Sequence, residues 1–227
     1  MITLTLTTCK RPELFCQTIT EFSKNCLDKY LISEVLWADD HSSEEEYTVM
    51  RECLYRYFPM QVIKHLRRSD GSRGLGYSLN SILSNLNTKY TYHLEDDFHH
   101  DRAAFQIIPS IFIMREFPFV KQVLLNERPS FFKTVFTRDN TTFKLWERGV
   151  IQDNGEPVKH FGFSLNPTVT DMEFFKDGYG YFNLSDVEGS YVQSYDSKEQ
   201  VRTACLDGIK LIHTGNISSF NLNGTNR

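Results

Sequence analysis

Three acids stand in a row at Glu95-Asp96-Asp97, directly after the apolar run YTYHL. Adjacent carboxylates repel one another, and a shared divalent cation offsets that repulsion. Hard cations such as Mg²⁺ and Mn²⁺ prefer carboxylate oxygens and take only one or two from protein when phosphates complete the shell. The competing reading is a solvated turn whose carboxylates cap the next helix. A second acidic pair, Asp39-Asp40, ends the apolar run from Ile32 to Ala38, and a third polar group, Thr7 to Arg11, ends the run ITLTLTT. His213 closes a short apolar run before Thr214-Gly215, where its ring can reach a cleft, although a structural histidine fits the same spacing. His99-His100 lie just beyond the acids. Neighbouring residues seldom present both imidazoles to one ion, so this pair reads as structural.

The elements that must carry these groups follow from hydrophobic periodicity. Residues 2–8 alternate as a strand, and Pro12 suits the first turn of a helix. Phe15, Ile19, Phe22 and Cys26 then recur on one helical face. Residues 32–38 read as a second strand. Ser42 and Ser43, with Glu45 and Glu46 three residues on, form two overlapping capping boxes for a second helix that carries Tyr47, Met50, Leu54 and Tyr57. Gln61 to Leu66 is a third strand. Leu75, Leu79, Ile82 and Leu86 mark a third helix, and Tyr90 to Glu95 a fourth strand.

This β-α-β-α-β-α-β order predicts an α/β fold with a mostly parallel central sheet flanked by helices. Ligands of such sheets bind outside the carboxyl ends of the strands, which is where the three polar groups fall. Beyond residue 98 the expectations are a helix over 103–114, a strand over 120–126 and a substrate-facing elaboration over 127–160. A strand over 160–165 is expected to end at Asn166-Pro167. Thr170 is expected to cap a helix, another helix to start over 186–193, and a last strand to span 210–213. The tail from Asn216 is polar. One domain over 1–227 results, with a ligand-binding half at 1–98, a second half at 99–215 and the tail at 216–227.

Several functions are excluded. A net charge of −4 over 227 residues argues against broad nucleic-acid binding. The five cysteines are odd in number and lack zinc spacing, which fits a reducing compartment. No apolar run approaches the roughly 18 residues of a membrane span, and the N-terminus lacks the basic start of a signal peptide. A soluble, cytoplasmic protein without an integral membrane segment is expected. Arg73-Gly74-Leu75-Gly76-Tyr77-Ser78 lacks the third glycine of a dinucleotide fingerprint, because Leu79 stands there. No P-loop and no G-x-S-x-G elbow occur. The 18 Phe and 11 Tyr read chiefly as core, with cleft lining as the other use.

Seven segments in order resemble the GT-A type glycosyltransferases, close to the family 2 group. They are ITLTLTTCKRP at 2–12, LWADDHSSEEE at 36–46, GLGYSLNSIL at 74–83, HLEDDF at 93–98, FSLNPTVTDMEFF at 163–175, DVEGSYV at 186–192 and LIHTG at 211–215. The resemblance implies a GT-A, Rossmann-like nucleotide-binding half plus an acceptor-binding half. It implies sugar transfer from a nucleoside-diphosphate sugar, UDP-linked, to a glycan or other hydroxyl acceptor, with Mn²⁺ or Mg²⁺ and inversion at the anomeric carbon. Thr7 would line the base, with Thr8, Arg11 and Arg73 also in the nucleotide site. Asp40, or else Asp39, would accept the uracil N3–H, and Asp96 would face the ribose. Asp97 would bind the metal, with Glu95 and His213 as further ligands. Glu188 would be the general base and Asp186 its rival. Cys9 replaces a frequent aromatic and Gly189 a frequent second acid, which leaves the choice of base open. The alternative enzyme class is a sugar nucleotidyltransferase or another metal-dependent phosphotransfer or phosphohydrolase enzyme. The nucleotidyltransferases usually carry a Gly-rich loop after the first strand, where this chain has TTCKRP. A nucleotide-sugar-binding module without activity is the nonenzymatic alternative.

Overall fold

The computed structural model describes residues 1–67, 74–126, 132–138, 141–146, 163–184, 201–209 and 211–214. Its first half follows the sequence closely. Strands β1 (Ile2–Thr8), β2 (Ile32–Asp39), β3 (Val62–His65) and β4 (Tyr90–Glu95) alternate with helices α1 (Pro12–Asn25), α2 (Glu44–Tyr57) and α3 (Leu75–Asn85). All pairings in the run β3-β2-β1-β4 are parallel. Strand order moves outward from β1 to β3, then jumps back to place β4 on the other side of β1. The sheet therefore has its switch point between β1 and β4, and a crevice opens above such a point.

The two sheet faces differ in what covers them. Ile2, Leu4 and Leu6 point into the larger core with Phe15, Ile19 and Phe22 of α1 and Met50 and Leu54 of α2. The stripe expected on α1 is thus the buried one. The opposite face meets Leu79, Ile82 and Leu83 of α3 in a second core. At the start of α2 the Ser43 side chain accepts from the Glu46 backbone N–H, and the Glu46 carboxylate accepts from the Ser43 N–H. Of the two overlapping capping boxes, that one forms.

The second half departs from expectation. It comprises β5 (Phe98–His100), α4 (Ile107–Glu116), β6 (Val120–Leu124), β7 (Phe132–Arg138), β8 (Thr141–Trp146), β9 (Thr168–Asp171), α5 (Met172–Tyr179), β10 (Arg202–Leu206) and β11 (Leu211–His213). Among the described residues the main sheet has nine strands, ordered β3-β2-β1-β4-β9-β6-β10-β8-β7. β9 runs antiparallel to both β4 and β6, and β8 antiparallel to both β10 and β7. The sheet is therefore mixed, its parallel core lying in the first half. β5 and β11 form a small separate antiparallel pair.

Three expected boundaries move, each for a specific reason. Residues 163–165 are not a strand, because the Gln122 side-chain amide takes both backbone groups of Ser164 (Nε2 to O 3.0 Å; N to Oε1 2.9 Å). The strand begins after Pro167, and Asp171 rather than Thr170 caps α5 by accepting from the Phe174 N–H at 3.3 Å. Helix α4 starts at Ile107 because the buried Asp28 carboxylate, 78 to 80 residues earlier, accepts the backbone N–H groups of Gln106, Ile107 and Ile108. Those are first-turn donors with no partner inside the helix. The hairpin β7–β8 falls within the stretch read as an elaboration. The helix start expected over 186–193 lies outside the described residues.

Candidate functional site

The carboxyl ends of β1, β2 and β4 converge at the switch point. Parallel pairing sets Thr7 beside both Ala38 and Glu95, and Thr8 beside Asp39. The turns that follow these strands contain the only described non-glycine residues with positive φ, Lys10 at 56° and His41 at 65°. This left-handed region is disfavoured for side chains with a Cβ. The contact that links the two turns is the Lys10 backbone N–H donating to Ser42 Oγ at 2.9 Å.

Arg11 dominates the electrostatics. Its guanidinium pairs with both oxygens of Asp96 and donates from Nη1 to Asp97 Oδ2 at 2.8 Å. The Asp96 and Asp97 side chains are 1% and 6% exposed. Burial pushes the Asp96 carboxyl up to about 6, with Asp97 adding to the rise. Arg11 and the hydrogen bond from the Cys9 N–H oppose it. The turn is anchored from two further sides. Thr18 Oγ1 of α1 donates to the Asp96 carbonyl at 3.0 Å, and Thr214 donates to the Asp97 carbonyl through N at 2.8 Å and Oγ1 at 2.9 Å. Thr18 is not among the site residues that the sequence singles out. Its signal is a hydroxyl three residues after Phe15, inside the apolar face of α1.

His213 reaches the acids as its position suggested. Its Nε2 lies 3.1 Å from Asp97 Oδ2, and its ring packs on Phe98 with centroids 5.1 Å apart. The other Asp97 oxygen, Oδ1, is buried without a hydrogen-bond partner. A buried carboxylate oxygen with no donor is costly unless something positive meets it. Together with the adjacent imidazole, it suits a divalent cation whose remaining ligands come from elsewhere. Glu95 ends β4 opposite Thr7 and does not complete a set with them. Among the described residues no three His, Cys, Asp or Glu side chains gather as a metal cluster.

The acidic pair after β2 divides its labour. Asp39 is a structural carboxylate. It accepts from Thr8 Oγ1 at 3.2 Å and from Ser42 through both N and Oγ, while Trp37 Nε1 donates to Thr8 Oγ1 at 2.9 Å. Burial raises its pKa and the Ser42 and Thr8 hydrogen bonds oppose the rise. Asp40 bridges outward. Its Oδ2 accepts from the Gly74 backbone N–H at 2.8 Å, at the start of α3, and its Oδ1 sits 2.8 Å from His41 Nδ1. Gly74 has φ +104°, a conformation that favours glycine. Asn80 on the same helix uses both ends of its amide on one residue, Nδ2 to Phe182 O at 3.0 Å and Oδ1 from Phe182 N at 2.7 Å. The structure therefore brings together Thr7, Thr8, Arg11, Asp39, Asp40, Asp96, Asp97 and His213. Arg73, Asp186 and Glu188 lie outside the described residues.

No family model and no curated protein matches this chain. Solved structures do match. S. aureus TarS 1-349 in complex with UDP-GlcNAc has a TM-score of 0.64 and 14% identity, covering 96% of this chain and 62% of that one. The mannosyltransferase PcManGT from Pyrobaculum calidifontis in complex with GDP-Man and Mn²⁺ has a TM-score of 0.63 and 13% identity, covering 94% of this chain and 56% of that one. GalNAc-T7 with UDP, GalNAc and Mn²⁺ has a TM-score of 0.62 and 12% identity, covering 94% and 43% respectively. The chain thus spans between 43% and 62% of the length of these three structures. At such identity the likeness is one of fold, and the fold is GT-A. No helix among the described residues is long and apolar enough to cross a membrane.

Proposed function

We propose that this GT-A chain is a glycosyltransferase that moves a sugar from a nucleoside-diphosphate sugar, UDP-linked, to a hydroxyl of a glycan or other acceptor, with inversion. The observation that carries the reading is the convergence of Arg11, Asp96 and Asp97 with the ends of β1 and β2 at the switch point. A diphosphate has to lie near positive charge; Arg11 is already paired with the two buried acids, so the complement would come from a cation at the unpartnered Asp97 Oδ1. Fold neighbours in complex with UDP, UDP-GlcNAc or GDP-Man support a nucleotide sugar as the donor. Two fold neighbours with Mn²⁺ support a divalent cation.

In this reading Asp97, with its unpartnered Oδ1, and the neighbouring His213 would hold Mn²⁺ or Mg²⁺. When bound, that ion supplies Lewis-acid stabilisation of charge on the leaving diphosphate. The rest belongs to the protein. Thr7 lines the base and Asp40 accepts the uracil N3–H. Both Asp40 oxygens already meet a neighbour, but each carboxylate oxygen has two acceptor sites. Asp96 faces the ribose, held in place by Arg11. The acceptor oxygen forms its bond to the anomeric carbon as the carbon–oxygen bond to the diphosphate breaks. Its proton passes to a carboxylate, Glu188 first and Asp186 as rival.

Substitution separates those two acids. General-base removal costs about 10²–10⁴-fold in rate. Glu188→Gln should lose that much in kcat for UDP-sugar turnover with unchanged donor affinity, and Asp186→Asn much less. The reverse ranking transfers the role to Asp186. Small losses in both would remove this segment from the chemistry.

A further inference from the structure

α1 and α2 pack side by side on the larger core, and a pair of cysteines meets across their seam. Cys16 lies in the second turn of α1 and is half-buried, while Cys53, in the last turns of α2, is buried behind it. The Cys53 thiol lies 3.8 Å from the Cys16 carbonyl oxygen, and the two side chains interact. Both are free thiols. Neither touches the acids at the switch point, and the proposed transfer reaction uses neither.

We propose that Cys16 and Cys53 form a redox-active dithiol, which a peroxide converts to a disulfide joining α1 to α2. The Cys53 sulfur lies against the Cys16 backbone across the seam of two packed helices, which places the two thiols within one neighbourhood. The roles within the pair differ. The hydrogen bond from Cys53 lowers the pKa of Cys16, and nearby Arg56 lowers it further against burial and Glu13. Cys53 is pushed up by that same bond and by burial. Cys16 is therefore the thiol that ionises first and the one that solvent reaches, and the thiolate is the nucleophile. It attacks one peroxide oxygen, the O–O bond breaks, and Cys16 becomes a sulfenic acid as hydroxide leaves and takes up a proton. The Cys53 sulfur then attacks the Cys16 sulfur, an S–S bond forms, and the sulfenic oxygen leaves as water with the Cys53 proton. Two thiols and one peroxide yield one disulfide and two waters.

The other buried cysteines are built differently. The Cys26 thiol donates to the Asp28 carboxylate at 3.3 Å, and burial together with that charge pushes it up. Cys205 is buried, its sulfur 3.7 Å from the Asn126 carbonyl. The consequence of the staple lies at the helix starts. α1 begins directly after Arg11, and α2 begins at the Ser43 cap that follows Asp39-Asp40. A bond between residues 16 and 53 ties together the two helices that carry these turns.

The test is oxidation of the folded chain with hydrogen peroxide, followed by alkylation, intact mass and non-reducing peptide mapping. The expected product has lost two hydrogens and two reactive thiols, with one cross-linked peptide pair containing Cys16 and Cys53. Cys53→Ser should leave a Cys16 sulfenic acid that dimedone captures, and Cys16→Ser should give neither product. Phenylarsine oxide, which needs two thiols within one arsenic's reach, should bind once per chain in the native protein and not to either serine variant. This second probe reads the geometry without oxidation. Cross-links through other cysteines, peroxide consumption without a cross-link, or arsenical binding that survives both substitutions would overturn the proposal.

Discussion

Replacing Arg11 by Met removes a guanidinium from between two buried acids while keeping most of the aliphatic stem. Asp96 and Asp97 would then face each other with side chains 1% and 6% exposed and no counter-charge. Breaking a buried ion pair from one side costs about 3–5 kcal/mol. Arg11 itself is 16% exposed, so the lower end, about 3 kcal/mol, is expected after solvent screening. For a chain of this size, each kcal/mol moves Tm by about 2–4 °C, which gives a fall of about 6–12 °C in Arg11→Met. Removing Arg11 has a second consequence. Without Arg11 the acids are a better site for an external cation, so Mn²⁺ should stabilise the variant more than it stabilises the native chain. An ion at a hundred times its Kd contributes about 2.7 kcal/mol, enough to restore most of the loss. Differential scanning fluorimetry with and without Mn²⁺ reads both effects. An unchanged Tm would mean that Arg11 does not hold the acids. Equal Mn²⁺ shifts in the two proteins would mean that the ion binds elsewhere.

Two further substitutions test the frame around the site. Asp28→Ala strips the acceptor from three backbone N–H groups at the start of α4. At about 1–3 kcal/mol per unsatisfied buried group, urea unfolding should show a loss of at least about 3 kcal/mol; a loss below 1 kcal/mol would refute the capping role. His100 is held neutral, pushed down to about 3 chiefly by burial and also by His99. Its unfolded form takes up a proton near pH 6.5 that the folded form refuses, so this residue makes stability fall as pH drops from about 6.5 toward 3. The slope is up to about 1.4 kcal/mol per unit. His100→Gln should flatten the dependence of urea stability between pH 7 and 5 by about that slope, and parallel curves for variant and native chain would refute the assignment.

Where sequence and structure agree, the determinants are local. The Ser43–Glu46 box, Pro12 at the head of α1 and the Phe15-Ile19-Phe22 stripe act within a few residues of one another, so periodicity and capping chemistry suffice to place them. The acids fall at strand ends because each follows an apolar run of strand length, and parallel pairing aligns those ends. What escaped the sequence is set by distant partners. Nothing near residue 107 marks the start of α4, because its cap is Asp28. Nothing near residue 164 shows that a side-chain amide occupies the backbone of Ser164 and delays the strand until after Pro167. The reversal of β9 between β4 and β6 depends on pairings 44 residues and more apart. In the site, the separate tasks of Asp39 and Asp40 follow from Thr8 and Ser42 on one side and Gly74 on the other, which two adjacent aspartates in a sequence do not reveal.

The central claim, a metal-assisted UDP-sugar site built on Asp97, is tested most directly by isothermal titration of UDP in the presence and absence of Mn²⁺. The native chain and Asp97→Asn are compared, with CDP as the base control. UDP should bind the native chain more tightly when Mn²⁺ is present, and several-fold more tightly than CDP. An unpaired buried group at the base costs about 1–3 kcal/mol. Asp97→Asn should abolish the Mn²⁺ enhancement while the protein still unfolds cooperatively. An enhancement of equal size in Asp97→Asn, or no UDP binding by the native chain with Mn²⁺, would contradict the account.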